Sequence, residues 1–283
     1  MRAVILAGGY ATRLKSVTNN GAVAKPLLPI TVDGKTQPIL YFILDKLNEI
    51  VDYLDEIIVI SNEKYLSQFK EACKTYSADN NVDIITVLSD GTTCPENARG
   101  ANGTLKMVND YIHSKDENYD DEVLVLAGDN YFDFSLLDLV WFYDNDHYIN
   151  ERYKPGESLN VVVSKVYPES DKEYIADKFG IINADENALV LSLDEKPGIE
   201  NIKSTNVCLA IYMFDRKSFD LIDDYMKANE TDKKKRDSLG YFINYIINNT
   251  NTYTFTFDGK FIDIGSPQDY YSMYNPNNKN NNL

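Results

Sequence analysis

Histidine and cysteine are nearly missing from this sequence: His113 and His147 are the two histidines, and Cys73, Cys94 and Cys208 the three cysteines, in 283 residues. Neither histidine stands near a nucleophile or a metal-spaced partner along the chain. Histidine-based hydrolysis is therefore not expected, and both read as surface or helix residues. Three scattered cysteines make neither a disulfide framework nor a zinc site, and they read as buried or idle thiols of a reduced, cytoplasmic protein. No apolar run approaches eighteen residues, so no membrane span is expected. The short apolar stretch behind the single Arg2 is too brief for a secretory signal. Positive charge is also scarce. With 28 Lys and Arg against 44 Asp and Glu the net charge is -16, which repels nucleic-acid backbones. Surface fields fade over about 8 Å at physiological salt, so local cations rather than net charge decide whether a small anion enters a cleft. No internal repeat or linker-like segment is found.

What the chain does have is a phosphate-cradle pattern. Val4 to Leu14 reads VILAGGYATRL, and Lys25 follows in KPLLPI. Val4, Ile5, Leu6 and Ala7 form an apolar run of the kind buried in parallel sheets. Gly8 and Gly9 come next and let backbone N–H groups approach an anion with no Cβ in the way. Arg13 and Lys25 can hold phosphate oxygens by charge-assisted hydrogen bonds. The spacing is neither that of a P-loop nor G-x-G-x-x-G. A Gly-Gly turn alone fits a plain tight turn equally well; Arg13 and the Lys-Pro segment favour the anion reading.

Strand and helix signals alternate through the first half, as in an open, mostly parallel sheet flanked by helices. Leu40, Leu44, Leu47 and Val51 recur at helical spacing after Pro38, and Glu56 to Ile60 is a β-rich run. Leu66, Phe69 and Cys73 mark a second helix, Val82 to Val87 a strand, and Leu105, Val108 and Ile112 a third helix. Val123 to Ala127 is another buried-strand run and ends at Gly128-Asp129-Asn130. The second half is richer in β signals. Phe179 to Ile182 and Leu189 to Leu193 flank Asp185-Glu186-Asn187 as a hairpin. Strands are expected at Leu159–Val166, Val207–Phe214, Thr252–Phe257 and Lys260–Ile264, and helices near Phe219–Met226 and Leu239–Ile247. The Asn-rich tail, residues 273–283, is expected to be disordered.

LAGGYATRL with KPLLPI resembles the sugar-phosphate nucleotidyltransferases, whose pattern is L-A-G-G-x-G-T-R-L followed by K-P-x-x-P. The departure is Ala11 in place of glycine, which demands a φ below zero or some strain. The resemblance runs from residue 1 to about 272. It implies one nucleotide-diphospho-sugar transferase domain, α/β and Rossmann-like. A nucleotide part would occupy roughly residues 1–130 and a β-rich sugar-binding part roughly 131–272, with no C-terminal solenoid expected. The implied reaction joins a nucleoside triphosphate to a sugar 1-phosphate with release of pyrophosphate. The family's roles would fall on Arg13 and Lys25 as catalytic cations, and on Leu6, Ala7, Gly8, Gly9, Ala11, Thr12 and Gly103 as nucleotide contacts. Asn130, Gly180, Glu195, Lys196 and Asn206 would take the sugar phosphate, and Asp129 (GDN) with Asp263 (FIDIGSP) would hold Mg²⁺. Plain readings stand beside these: a turn aspartate at Asp129, a turn leading to a Ser266 helix cap at Asp263. Glu195-Lys196 also fits a solvated pair, and Gly100–Thr104 fits capping by Asn102 or Thr104. Other functions sharing the first motif are a cytidylyltransferase acting on phosphocholine and a catalytically inactive nucleotide-sensing subunit. The expected partners are small molecules, with homo-oligomerisation open.

Overall fold

The structure is a computed structural model that describes residues 1–145 and 158–274. His147 and the Asn-rich stretch from residue 275 onward lie outside the described residues. In chain order the first elements are β1 (Arg2–Leu6), β2 (Pro29–Val32), β3 (Lys35–Pro38), α1 (Ile39–Asn48), β4 (Glu56–Ser61), α2 (Leu66–Asn80) and β5 (Ile85–Ser89). These are followed by α3 (Ala101–Lys115), β6 (Val123–Ala127), β7 (Asn130–Phe132) and α4 (Leu136–Asn145). The rest comprises β8 (Leu159–Val166), α5 (Lys172–Ala176), β9 (Gly180–Ala184), β10 (Val190–Glu195), β11 (Asn206–Phe214) and α6 (Arg216–Ala228). It closes with α7 (Lys233–Asp237), α8 (Leu239–Asn249), β12 (Asn251–Thr256), β13 (Phe261–Asp263) and α9 (Pro267–Tyr274).

The chain divides into two compact units. One contains Ala3–Ala98, Ala127–Leu136 and the residues from Gly259 onward. Here β1, β4 and β5 lie side by side, with β4 and β5 parallel from Ile57↔Ile85 to Ser61↔Ser89. Ile57, Ile58, Val59 and Ile60 are all fully buried, as strands covered on both faces must be. α1 buries Leu40, Leu44 and Leu47 of the stripe legible in the sequence, together with Ile43, whereas Val51 falls beyond the helix in a 3₁₀ turn and is half-buried. β5 begins at Ile85, not Val82. Asn81 is left-handed (φ 59°) and closes α2, so Val82 belongs to the helix-terminating turn, its N–H bonded to the Ser77 carbonyl. Strands β2, β3 and β7 are additions to the expected elements, while β13 falls within the expected Lys260–Ile264 strand. β2 and β3 are joined through Asp33-Gly34, both with positive φ, as a two-residue hairpin turn requires. β13 pairs with β7, setting Asp263 opposite Asn130.

The other unit contains Met1–Arg2, Arg99–Leu126 and Leu137–Asp258. Its strand β11 pairs antiparallel with β6, β8 and β9, β12 runs parallel to β8, and β9–β10 form the expected hairpin. The hairpin turn is built by Asp185, whose Oδ1 accepts from the Asn187 and Leu189 N–H groups at 2.8 and 3.0 Å. Mixed pairing with flanking helices is thus the architecture. Among the described residues, no helix is long and apolar enough to cross a membrane.

Candidate functional site

The loop after β1 is fixed from behind. The Ala7 N–H donates to the Ile60 carbonyl at 2.9 Å, and the buried Asn62 amide donates to the Gly8 carbonyl at 2.9 Å. Asp90, also buried, accepts from the Thr92 N–H and hydroxyl at 2.8 and 2.7 Å. Its Oδ2 would lie 3.0 Å from a Cβ at Gly8, so Gly8 is a packing position. At Gly9 a Cβ would meet nothing within 4 Å. Beyond Gly9 the chain makes a 3₁₀ turn, Thr12–Leu14, that leaves Arg13 exposed. Among the described residues Arg13 makes no hydrogen bond or ion pair.

Lys25 sits at the start of the Lys25–Leu27 turn, stiffened by Pro26 and nearly buried at 8% exposure. The preceding segment is tied to α2, where the Tyr65 hydroxyl donates to the Gly21 carbonyl at 2.8 Å and the Gln68 amide to the Ala22 carbonyl at 2.7 Å. The Lys25 ammonium donates to Asp129 Oδ2 at 2.6 Å. Asp129 reaches this position because Gly128 passes tightly over β1: its N–H donates to the Leu6 carbonyl at 2.9 Å, and a Cβ there would stand 2.9 Å from that oxygen. Asp263 is brought to the same unit's β7–β13 pair, one register step from Asp129. Ser266 caps α9 as expected, accepting from the Asp269 N–H while Asp269 accepts from the Ser266 N–H. A cavity of about 250 Å³ is lined by Leu6, Ala7, Gly9, Ala11, Thr12, Arg13, Lys25 and Asp129, with Tyr10, Leu14, Pro26 and Gly265.

The remaining candidates belong to the other unit, apart from Asn130, which is buried in β7. Gly180 and Glu195 are register partners across the β9–β10 hairpin, and Asn206 opens the neighbouring β11. Among the described residues, the Asn206 Oδ1 is buried without a hydrogen-bond partner. Lys196 is exposed with a left-handed backbone (φ 49°), unusual before proline, and its N–H donates to the Phe179 carbonyl at 3.2 Å. Glu195 lines a cavity of about 690 Å³ together with Gly240, Tyr241 and Asn244 of α8. Gly103 packs against Arg99 and Met226 in α3. Neither Asn102 nor Thr104 caps that helix: Gly100 is its N-cap, Asn102 donates to the Lys235 and Ser238 carbonyls, and Thr104 donates back to Gly100. Burial pushes the Cys73 thiol up to about 12 and Cys208 to about 11, which leaves both unreactive. His113 on α3 lies 2.8 Å from Asp220 in an ion-pair network between helices.

The model of the nucleotidyl transferase family matches residues 2–279. The chain belongs to that family. It is 26% identical to a UTP–glucose-1-phosphate uridylyltransferase of Synechocystis sp., covering 96% of this chain and 62% of that protein. It is 28% identical to a D-glycero-alpha-D-manno-heptose 1-phosphate guanylyltransferase of Campylobacter jejuni, covering 96% and 97%. A third relative, the bifunctional protein GlmU of Methanocaldococcus jannaschii, is 28% identical, and the chain spans 52% of its length. The fold is also that of a Bacillus anthracis protein assigned as a glucose-1-phosphate thymidylyltransferase, with a TM-score of 0.70 at 21% identity over 95% and 92% of the two chains.

Against the family pattern, Ala11 takes the strained option: its φ and ψ are 50° and 36°, the left-handed region in which a Cβ is penalised. Ala11→Gly should therefore stabilise the protein by about 0.5–1 kcal/mol, the relief of strain exceeding the entropy gained by the unfolded chain. A melting curve should rise by roughly 1–3 °C; an unchanged or lower midpoint refutes the strain. Sequence reading passed over Asn62 and Asp90, and it gave Gly240 no role. The first two stand at strand ends, where ligands of open α/β sheets gather, and that position was their one available signal.

Proposed function

We propose that this chain transfers a nucleotidyl group from a nucleoside triphosphate to a sugar 1-phosphate, releasing pyrophosphate. The observation that carries the reading is the cavity in which an exposed Arg13, a nearly buried Lys25 and the open face of Gly9 converge beside Asp129. The sugar phosphate oxygen attacks the α-phosphorus in line and pyrophosphate departs, so the protein's work is positioning and charge neutralisation. Lys25 would hold the α-phosphate where charge grows, and Arg13 the leaving pyrophosphate, with backbone from Leu6 to Thr12 lining the nucleotide. Glu195 would accept from sugar hydroxyls, Lys196 would meet the sugar phosphate, and Gly180 and Asn206 would border the ring.

Asp129 and Asp263 fit a hard divalent cation such as Mg²⁺, which prefers oxygen donors and commonly keeps one or two carboxylates plus phosphate oxygens. Bound there, it would supply charge neutralisation at the phosphates. Among the described residues, Tyr241 is the one aromatic side chain lining the large cavity beside Glu195, which disfavours a choline cage.

The related proteins differ in nucleobase, so base and sugar are chosen here on motif likeness: dTTP or UTP with a glucose-like 1-phosphate. The test is pyrophosphate release from dTTP, UTP, CTP and GTP crossed with hexose 1-phosphates and phosphocholine. Fastest release is expected with dTTP or UTP and glucose 1-phosphate. Release with phosphocholine alone, or with none of the pairs, refutes the proposal.

A further inference from the structure

The Glu195 carboxylate occupies a slot between two glycines. A Cβ at Gly180, its register partner, would lie 3.2 Å from Glu195 Oε2. A Cβ at Gly240 would lie 2.2 Å from the same oxygen, 3.0 Å from Glu195 Cδ and 3.1 Å from Leu193 Cδ2. No side chain can occupy position 240 while Glu195 stays where it is. The reverse does not hold, because the obstructing atom is the far end of a flexible side chain and can swing aside. Gly240 lies in the first turn of α8, where its φ is not positive and backbone conformation does not call for glycine. Helix propensity argues against it. The Glu195 carboxylate makes no hydrogen bond or ion pair among the described residues, so α8 restrains it by shape. The same helix contributes Tyr241 and Asn244 to the cavity that Glu195 lines.

We infer that Gly240 is a positioning residue for the sugar subsite: its missing side chain makes the space in which Glu195 points at the sugar. The inference rests on the sugar contact proposed for Glu195. It also gives a role to the segment Asp237-Ser238-Leu239-Gly240, which the phosphate chemistry leaves without one.

Four variants test it, using the hexose 1-phosphate turned over fastest by the wild type in the panel above, glucose 1-phosphate first among the candidates. Gly240→Ala should raise the KM for the sugar phosphate about 10- to 100-fold, the scale of one lost hydrogen bond to a charged group. The KM for the nucleotide should stay within about twofold, and the melting temperature should hold or rise, since Ala favours helix over Gly. Glu195→Ala should raise the same KM by a similar factor, and adding Gly240→Ala to it should do little more. Gly240→Ala/Glu195→Asp, with the carboxylate withdrawn by one methylene, should recover part of the loss. If Glu195→Ala leaves the sugar KM unchanged, the underlying sugar contact is wrong. If Glu195→Ala raises it and Gly240→Ala does not, the Gly240 assignment alone is wrong. A Gly240→Ala protein that unfolds, or loses turnover with no change in sugar KM, shows a structural role and likewise overturns the assignment.

Discussion

Lys25→Ala should lower kcat for nucleotidyl transfer by about 10²–10³, the usual loss when one preorganised stabiliser of transition-state charge is removed. The structure adds an asymmetry with its partner. Lys25 retains 10% side-chain exposure and Asp129 retains 40%. Removing the lysine leaves a carboxylate that can take up water, so stability should change by less than about 1 kcal/mol. Removing the aspartate leaves an ammonium largely shielded from water with no counter-charge. Asp129→Ala should therefore lose comparable activity and also cost about 2–3 kcal/mol, below the full penalty for breaking a wholly buried pair because one partner was half in solvent. Steady-state kinetics with denaturant unfolding of both variants checks this. Wild-type-like turnover in either refutes the catalytic assignment, and equal stability losses refute the asymmetry.

That asymmetry was not legible in the sequence, although both residues were. The VILAGGYATRL run and KPLLPI announced a strand, a glycine turn and two cations through local spacing alone, and Val123–Ala127 announced the strand that delivers Asp129. Periodicity likewise showed α1 and the β9–β10 hairpin. What spacing cannot carry is register between distant segments. That Asp263 faces Asn130 follows from β13 pairing with β7, two three-residue strands too short to show a period. That Glu195 lies against Gly240 follows from α8 packing on β10, a contact between residues 45 positions apart in numbering. Asn62 and Asp90 escaped notice because Asn62 holds the Gly8 carbonyl and Asp90 packs beside Gly8, and a buried Asn or Asp has the same letter as an exposed one. Val82 misled for a related reason: an apolar residue after a helix can close the helix instead of opening the next strand.

Gly100→Ala should be the most destabilising of the single-methyl substitutions considered. Gly100 is the N-cap of α3 with φ 74° and ψ 163°, a region open essentially to glycine alone. A Cβ there would also stand 2.6 Å from the Arg236 carbonyl oxygen and 2.8 Å from Asp237 Cα. Both obstructing atoms are backbone, so no side chain can swing away as Glu195 can at Gly240. Backbone strain of about 1–3 kcal/mol and overpacking of about 1–3 kcal/mol act on the same residue, for a combined loss of roughly 3–5 kcal/mol. Relaxation by pushing α3 away from α7 would strain a second anchor. The fully buried Asn102 amide donates to the Lys235 and Ser238 carbonyls at 2.7 and 2.8 Å, and a shift leaves those bonds stretched. The melting midpoint should fall by about 10 °C. A midpoint within about 2 °C of wild type would mean that the Arg236–Asp237 backbone yields at little cost, and that the contact between α3 and the turn before α8 is not the rigid one described.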